Sequence, residues 1–365
     1  MENSSIVIWA YKDLSLIAAW SFIVCAIAVC LLSPLARAIK LLDKPDNRKL
    51  HAGSIPLVGG LAVAVAVFAV IGSFDGMAYP GTSIFITIGI ILVALGALDD
   101  YIEIRPKYRL AVQIAIGIAL CFVAELKVVN VGNLYGNGHL LLGYALSIGF
   151  TIMCSVGVFN SINMIDGIDG LAGVIAIISA STLAFVSAQA GDTYSTGILI
   201  ALVAALLPFM LFNLSVFGKK NKVFLGDAGS LFLGFVLLWF FITLSQGDNA
   251  SLSPVVAGWI FGVPLVDTVS VIVGRMIRGE APLRAGRDHI HHRLLSHGFE
   301  LRTVLIIISF YHLSFNAVGV LFNNNLAAEP YLFWSFVLIT ICHFFLLNVV
   351  LPKFQQKLNT VNIGQ

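Results

Sequence analysis

Segments of roughly 17–25 apolar residues, each long enough to cross about 30 Å of hydrocarbon as a helix, follow one another along almost the whole chain with short polar connections between them. Eleven are delimited, over residues 14–34, 55–74, 82–98, 110–126, 140–160, 168–188, 196–214, 228–245, 254–274, 303–323 and 330–352. The pattern predicts an all-α, polytopic integral membrane protein, one domain over residues 1–365, with no room for a separate soluble unit. An odd number of crossings puts the termini on opposite sides. The first segment follows Lys12 as a signal peptide would, but its apolar stretch is long and basic residues crowd its C-terminal flank, so it is expected to be retained.

Composition agrees with the pattern. Of 365 residues 59% are hydrophobic and 11% charged, whereas about a quarter are charged in soluble chains. Of the 21 Lys and Arg residues, all but Lys12 and Lys127 fall after segments 1, 3, 7 and 9 or in the C-terminal tail. Positive loops stay in the cytoplasm, which places the N-terminus outside and the C-terminus in the cytoplasm; in a bacterial chain that is the inner membrane, with the N-terminus in the periplasm. The five cysteines, Cys25, Cys30, Cys121, Cys154 and Cys342, lie in or beside apolar segments with no CxxC spacing and are expected to be small buried hydrophobes. No P-loop, GxGxxG or internal repeat is visible, which argues against a transporter built from two related halves. No nucleic-acid partner is expected, and the oligomeric state is open, a homodimer included.

The placement of acidic groups changes the picture. They gather at segment ends on the expected cytoplasmic side, in "GALDDYIEIRPKYRL" (96–110), "NMIDGIDGLAG" (163–173) and "NKVFLGDAGS" (221–230). An Asp at a helix centre costs about 2.5–3.5 kcal/mol on insertion scales, so these must meet water, a cation or a partner. Asp99 and Asp100 end a helix where the macrodipole disfavours negative charge; Lys107, Arg109 and Gln113 follow as partners. Asp227 sits between Gly226 and Gly229, either capping a helix that begins near Ala228 or facing a ligand. Asn160, Asn163, Asp166 and Asp169 recur every third position, and an unbroken helix would spread them over opposite faces. Gly167 and Gly170 predict a helix end near Asn163 and a turn, leaving Asn160 structural and sending Asn163, Asp166 and Asp169 into a cleft.

The longest polar loop holds "GRDHIHHRLLSHGF" (286–299), with His289, His291, His292 and His297 beside Arg287 and Arg293. A zinc site, a basic patch against lipid headgroups and a site for an anionic ligand all remain open; Arg grips phosphate bidentately and His exchanges protons near neutral pH. Carboxylates repel phosphates unless a divalent ion bridges them, and Mg²⁺ takes one or two carboxylates and completes its shell with water and phosphate oxygens. The combination points to phosphoryl transfer at the cytoplasmic surface.

"GALDDYIEIRPKYR", "NSINMIDGIDGLAG", "VFLGDAGS" and "DHIHHR", in this order across eleven segments, resemble the polyprenyl-phosphate N-acetylhexosamine-1-phosphate transferase family; "RKLHAGSIPLVGG" (48–60) and "VPLVD" (263–267) resemble further landmarks of it. "HIHH" and the Lys49–His51 pair are similar to the branch that uses UDP-GlcNAc and undecaprenyl phosphate, giving GlcNAc-diphosphoundecaprenol and UMP at the start of a surface polysaccharide such as O-antigen or enterobacterial common antigen. The resemblance implies that Asp99 and Asp100 lie near the lipid phosphate as base or activator, and that Asp166 and Asp169 are catalytic or contact the nucleotide. It implies Asp227 and Asn163 as holders of Mg²⁺ or Mn²⁺, Phe224 and Asn213 as uridine-binding residues, and Arg287, Arg275, His289, His291 and His292 as grips on the donor diphosphate. The alternatives are the same reaction with UDP-MurNAc-pentapeptide or UDP-GalNAc, an ion-coupled secondary transporter, and a scaffold without chemistry.

Overall fold

A computed structural model of the chain describes residues 2–43, 53–73, 81–282 and 286–352, with side chains from residue 13 onward. The Lys49–His51 pair lies outside the described residues, as do Lys44, Arg48, Arg284, Lys353 and Lys357 and the side chain of Lys12 from the orientation argument. Helices dominate because an apolar run in lipid can satisfy its backbone only within itself. In chain order they are α1 (Glu2–Ile39), α2 (Gly59–Ser73), α3 (Thr82–Ile102), α4 (Pro106–Phe122), α5 (Tyr144–Ile165), α6 (Leu171–Gln189) and α7 (Thr193–Asn213), then α8 (Gly226–Ser245), α9 (Pro254–Ile260), α10 (Gly262–Ile277), α11 (Ile290–Ser296), α12 (Leu301–Leu321) and α13 (Glu329–Phe345), the last continued by a π-helical turn over Leu346–Val350. Two-residue strands β1 (Leu42–Asp43) and β2 (Ile55–Pro56) pair antiparallel.

Every one of the eleven expected segments coincides with helix, but they are not equivalent. Among the described residues eight helices are long and apolar enough to cross a membrane, and a ninth crossing is formed by α9 and α10 if that pair, bent by 83°, is one span. Helix α2 has 15 residues and α4 has 17, lengths of about 22–26 Å at 1.5 Å per residue, short of the roughly 30 Å hydrocarbon core. The bend after Ile260 frees a backbone carbonyl inside the bundle, and side chains claim it: Ser179 Oγ donates to Ile260 O at 3.0 Å and Asn316 Nδ2 at 3.3 Å, with His312 Nε2 2.9 Å from Ser179 Oγ. That need accounts for a buried polar cluster in an otherwise apolar interior.

Helix α8 is the hub. It is apolar on every face, 94% of its spanning window is buried against 11% for α13, and it packs against α2, α3, α5, α6 and α9. Small residues set these approaches at its N-terminal end. A Cβ on Gly96 of α3 would stand 2.3 Å from Ala228 N, and one on Gly60 of α2 would stand 2.0 Å from Gly229 Cα, both impossible contacts. Beside them the 55–60 stretch runs along the residues leading into α8: Phe224 N donates to Pro56 O at 2.9 Å, and Gly59 N and Gly60 N donate to Phe224 O and Leu225 O, each at 2.9 Å. Two helices, α2 and α3, and strand β2 are thereby locked around the start of α8, where the acidic motifs meet.

Candidate active site

The acidic motifs converge through helix boundaries that differ slightly from those read in the sequence. Helix α3 continues to Ile102 and so contains Asp99 and Asp100, and α4 begins at Pro106, which puts Arg109 in its first turn. Helix α8 begins at Gly226, so Asp227 lies inside the first turn instead of capping it. The cap comes from another helix: Asp100 Oδ1 accepts from Asp227 N at 2.9 Å and Asp100 Oδ2 from Ala228 N at 3.4 Å. A carboxylate at a helix N-terminus satisfies orphan N–H groups and meets the positive end of the dipole. Gly226 makes room for it, with φ 73° and with space where a Cβ would fall 2.5 Å from Asp100 Oδ2.

Arg109 stands at the centre. Its Nη1 is 2.7 Å from Asp99 Oδ2 and 3.3 Å from Asp227 Oδ2, while Nη2 donates to Asn163 Oδ1 at 3.3 Å. Asn163 Nδ2 donates to Asp227 Oδ1 at 2.5 Å and to Ser230 Oγ at 2.9 Å. The chain leaves α5 at Ile165 and turns through 166–170 into α6, as the glycine spacing predicts. Asn160 is structural, its Nδ2 donating to Gln113 Oε1 and Val156 O, both at 2.7 Å. In the turn, burial together with the carboxylates of Asp227, Asp100 and Asp169 pushes the Asp166 carboxyl up to about 8.

Oxygen atoms of Asp99, Asp227 and Asn163 thus converge on one cation, and with Asp100 and Asp166 the acidic charge exceeds what a single guanidinium balances. An all-oxygen donor set with surplus negative charge suits a hard divalent ion that keeps several waters. Among the described residues no group of three or more His, Cys, Asp and Glu side chains is arranged to hold a metal ion.

Asp169 turns to the other side of the loop. Its Oδ2 is 2.5 Å from Lys222 Nζ, which also lies 4.9 Å above the Phe224 ring. Asn213 is buried with its amide committed to backbone, Oδ1 accepting from Gly170 N at 2.7 Å and Nδ2 donating to Val223 O at 2.9 Å. It ties the acidic turn to the Phe224 segment and offers no free edge to a uracil ring.

The histidine loop folds onto the same turn. A Cβ on Gly167 would meet His291 Nε2 at 2.1 Å, so this imidazole lies flush against the acidic loop. The rings of His291 and His292 are 4.2 Å apart and those of His289 and His291 stack at 6.0 Å. Burial, reinforced by neighbouring imidazoles, pushes His291 down to about 3 and His292 down to about 4. His289 precedes α11 in extended conformation. Its Nδ1 is 2.7 Å from Asp267 Oδ2. Arg275 is fully buried, donating from Nε to Asp288 Oδ2 and from Nη1 to Pro282 O, both at 3.0 Å, whereas Arg287 is exposed at the loop surface. Burial opposes ionisation of Asp288, but Arg275, Arg293 and Arg278 together hold it below the usual carboxylate range.

All thirteen expected site residues therefore lie in this one region, in two groups joined at Gly167 and His291, with Asn213 and Arg275 bracing it from within. Three participants went unremarked as site residues. Arg109 was visible only as a partner for the acidic pair, Lys222 is one of three lysines in "GKKNK" two residues before Phe224, and Asp267 is a carboxylate inside an apolar segment, the costliest placement of the three.

Residues 82–245 match glycosyl transferase family 4. The chain is 34% identical over 335 residues, 91% of its length and 89% of the relative's, to the undecaprenyl-phosphate alpha-N-acetylglucosaminyl 1-phosphate transferase of Salmonella typhi. Enzymes of the same name from Escherichia coli K12 (32% over 286 residues, 78% of this chain and 77% of the relative) and Haemophilus influenzae (32% over 303 residues, 82% and 84%) are similar to it as well. With four ordered acidic and histidine motifs gathered at one end of a multi-pass helical bundle, the chain belongs to the family of undecaprenyl-phosphate alpha-N-acetylglucosaminyl 1-phosphate transferases.

Proposed function

We propose that this chain transfers GlcNAc-1-phosphate from UDP-GlcNAc to undecaprenyl phosphate, giving GlcNAc-diphosphoundecaprenol and UMP, as the first membrane step of a surface polysaccharide. Similarity to the named transferases supports the reaction. The observation that carries it in this molecule is the seat of His291 against Gly167, which sets the histidine loop directly on a carboxylate turn. The chain forms one catalytic unit over residues 1–365 with eleven crossings, α2 and α4 included as short ones, and an N-terminus in the periplasm. Retention of Lys and Arg on the cytoplasmic side then puts the acidic end of the bundle where UDP-sugars are found.

An apolar groove supports the lipid as acceptor. It has a volume of about 400 Å³ and runs between α4, α5 and α10, lined by Leu110, Ile114, Ile152, Met153, Val156 and Ile272 among others. It begins at Leu110, next to Arg109, and at Asn160, one turn from Asn163, so a polyprenyl chain lying in it would deliver its phosphate to the arginine. The lipid phosphate oxygen attacks the β-phosphorus of UDP-GlcNAc; the new O–P bond forms as the bond to the bridging oxygen breaks, and UMP leaves with that electron pair. The Asp166 carboxyl has no ion-pair or hydrogen-bond partner among the described residues and, in its ionised form, takes the proton from a protonated lipid phosphate. Asp99 orients Arg109, Asp100 fixes the start of α8, and Asp169 with Lys222 and Phe224 frames the nucleotide. Asp227 and Asn163 would hold Mg²⁺ or Mn²⁺, which supplies stabilisation of charge developing on the transferred phosphoryl group. The histidines and Arg287 grip the donor diphosphate.

Direct attack needs no covalent enzyme intermediate, because the lipid phosphate is itself an anionic nucleophile. A donor panel tests the assignment: purified protein, undecaprenyl phosphate and Mg²⁺ with UDP-GlcNAc, UDP-GalNAc or UDP-MurNAc-pentapeptide. Lipid-linked product from UDP-GlcNAc above the other two is expected, and preference for either rival would replace the donor.

A further inference from the structure

Behind the histidine loop lies a carboxylate that the reaction scheme does not use. Asp267 of α10 is 1% exposed, with His289 at 4% and His343 of α13 at 3%. Its Oδ2 is 2.7 Å from His289 Nδ1, and its Oδ1 accepts from Ile290 N at 2.9 Å and lies 3.5 Å from His343 Nε2. His343 stacks on Tyr311 of α12, ring centroids 5.9 Å apart and 15° from parallel. Four elements, α10 to α13, thus meet at one buried anion shared by two imidazoles.

A buried carboxylate that faced only apolar side chains would be prohibitively costly. This one has its partners, and they dictate the state of His289. A carboxylate can only accept, so Nδ1 of His289 carries the hydrogen and Nε2 is the ring nitrogen left for a ligand. His291 and His292 have no such carboxylate against them and stay neutral at pH 7.

We propose that Asp267 is a positioning residue that fixes the tautomer of His289 for the donor diphosphate. The inference rests on the proposed role of the histidine loop in gripping that diphosphate. The titratable groups that face His289 are Asp267 on α10 and His291 and His292 on α11, and His343 on α13 faces the same carboxylate.

Two variants test it in the full-length protein. Asp267→Asn keeps the size and the bond from Ile290 N but presents an amide donor to Nδ1, reversing the tautomer and removing the charge. The expected result is a loss of roughly 10–100-fold in kcat/KM for UDP-GlcNAc, the range seen when a residue orienting a functional histidine is lost, with the KM for undecaprenyl phosphate unchanged. Asp267→Glu, which again offers an acceptor to Nδ1, is expected to recover part of that loss. His343→Phe keeps the stack on Tyr311 and leaves Asp267 to His289 alone, so kcat/KM for UDP-GlcNAc is expected to be retained. Wild-type kinetics in folded Asp267→Asn, equal losses for both substrates, or a Glu variant no better than the Asn variant would overturn the proposal. If Asp267→Asn does not fold, ¹⁵N shifts of the His289 ring in the parent protein decide: the hydrogen is expected on Nδ1, and a hydrogen on Nε2 alone overturns it. Equilibrium binding of UDP is measured alongside. A wild-type protein that binds UDP yet turns over no UDP-GlcNAc would sink the reaction assignment alone, and weaker UDP binding in Asp267→Asn would still separate the two.

Discussion

Asn213 illustrates how a polar residue near a substrate can serve the site without touching it. Both ends of its buried amide bond to backbone, one on the acidic turn and one beside Phe224. Asn213→Ala would strand Gly170 N and Val223 O, each at about 1–3 kcal/mol if left unsatisfied. A lower melting temperature in detergent is expected, together with a raised KM for the UDP-sugar as the turn loosens. Conversely, His291 and His292 touch the turn with imidazoles pushed down to about 3 and 4, against about 6.5 in an unfolded chain. Below about pH 6.5 the unfolded chain therefore binds more protons than the folded one. Stability attributable to this pair is complete above that pH and is lost as the pH falls towards 4. Melting temperatures recorded from pH 7.5 to pH 5 should fall less steeply in His291→Gln/His292→Gln than in the parent; equal slopes would count against neutral, buried imidazoles here.

Among the elements, α3 and α8 carry the most consequential contact. Their approach at Gly96 admits no side chain, with Ala228 N 2.3 Å from where a Cβ would be, and it is what lets Asp100 reach the N–H groups opening α8. Gly96→Ala must push the helices apart, at a cost of about 1–3 kcal/mol for overpacking, and withdraw Asp100 from Asp227 N. Activity should fall further than stability does, a comparison that turnover and thermal unfolding of the same preparation provide. The apolar runs announced the long helices, though not α11 in its polar loop, and the glycines of "MIDGIDG" announced the turn, because both follow from the local chemistry of lipid and backbone. The bend after Ile260 was not legible, since the side chains that pay for it, Ser179 and Asn316, come from distant helices. For the same reason Asp100 read as an unfavourable helix end: its true partners belong to α8, 127 and 128 residues away. Arg109 and Asp267 were individually visible, but their importance comes from what converges on them.

At the scale of the whole molecule, the bundle brings an apolar groove and a charged cleft to a common end. Gly149 and Gly157 of α5 line the groove, and a Cβ on either meets nothing within 4 Å. Phenylalanine at Gly157 would therefore fill the groove without disturbing the bundle. Displacing about two methylenes of lipid contact corresponds to roughly 1.5 kcal/mol, or about tenfold in affinity. The KM for undecaprenyl phosphate should rise by that order while the KM for UDP-GlcNAc stays put; an unchanged lipid KM would place the acceptor elsewhere.

The central claim is that a phosphosugar, not a sugar, crosses from nucleotide to lipid. Its most direct measurement uses UDP-GlcNAc labelled with ¹⁴C in the sugar and ³²P in the β-phosphate, incubated with the purified protein, undecaprenyl phosphate and Mg²⁺. Both labels should enter the lipid in equal molar amounts, matched by release of unlabelled UMP. Release of ³²P-labelled UDP, with ¹⁴C alone in the lipid, would contradict it.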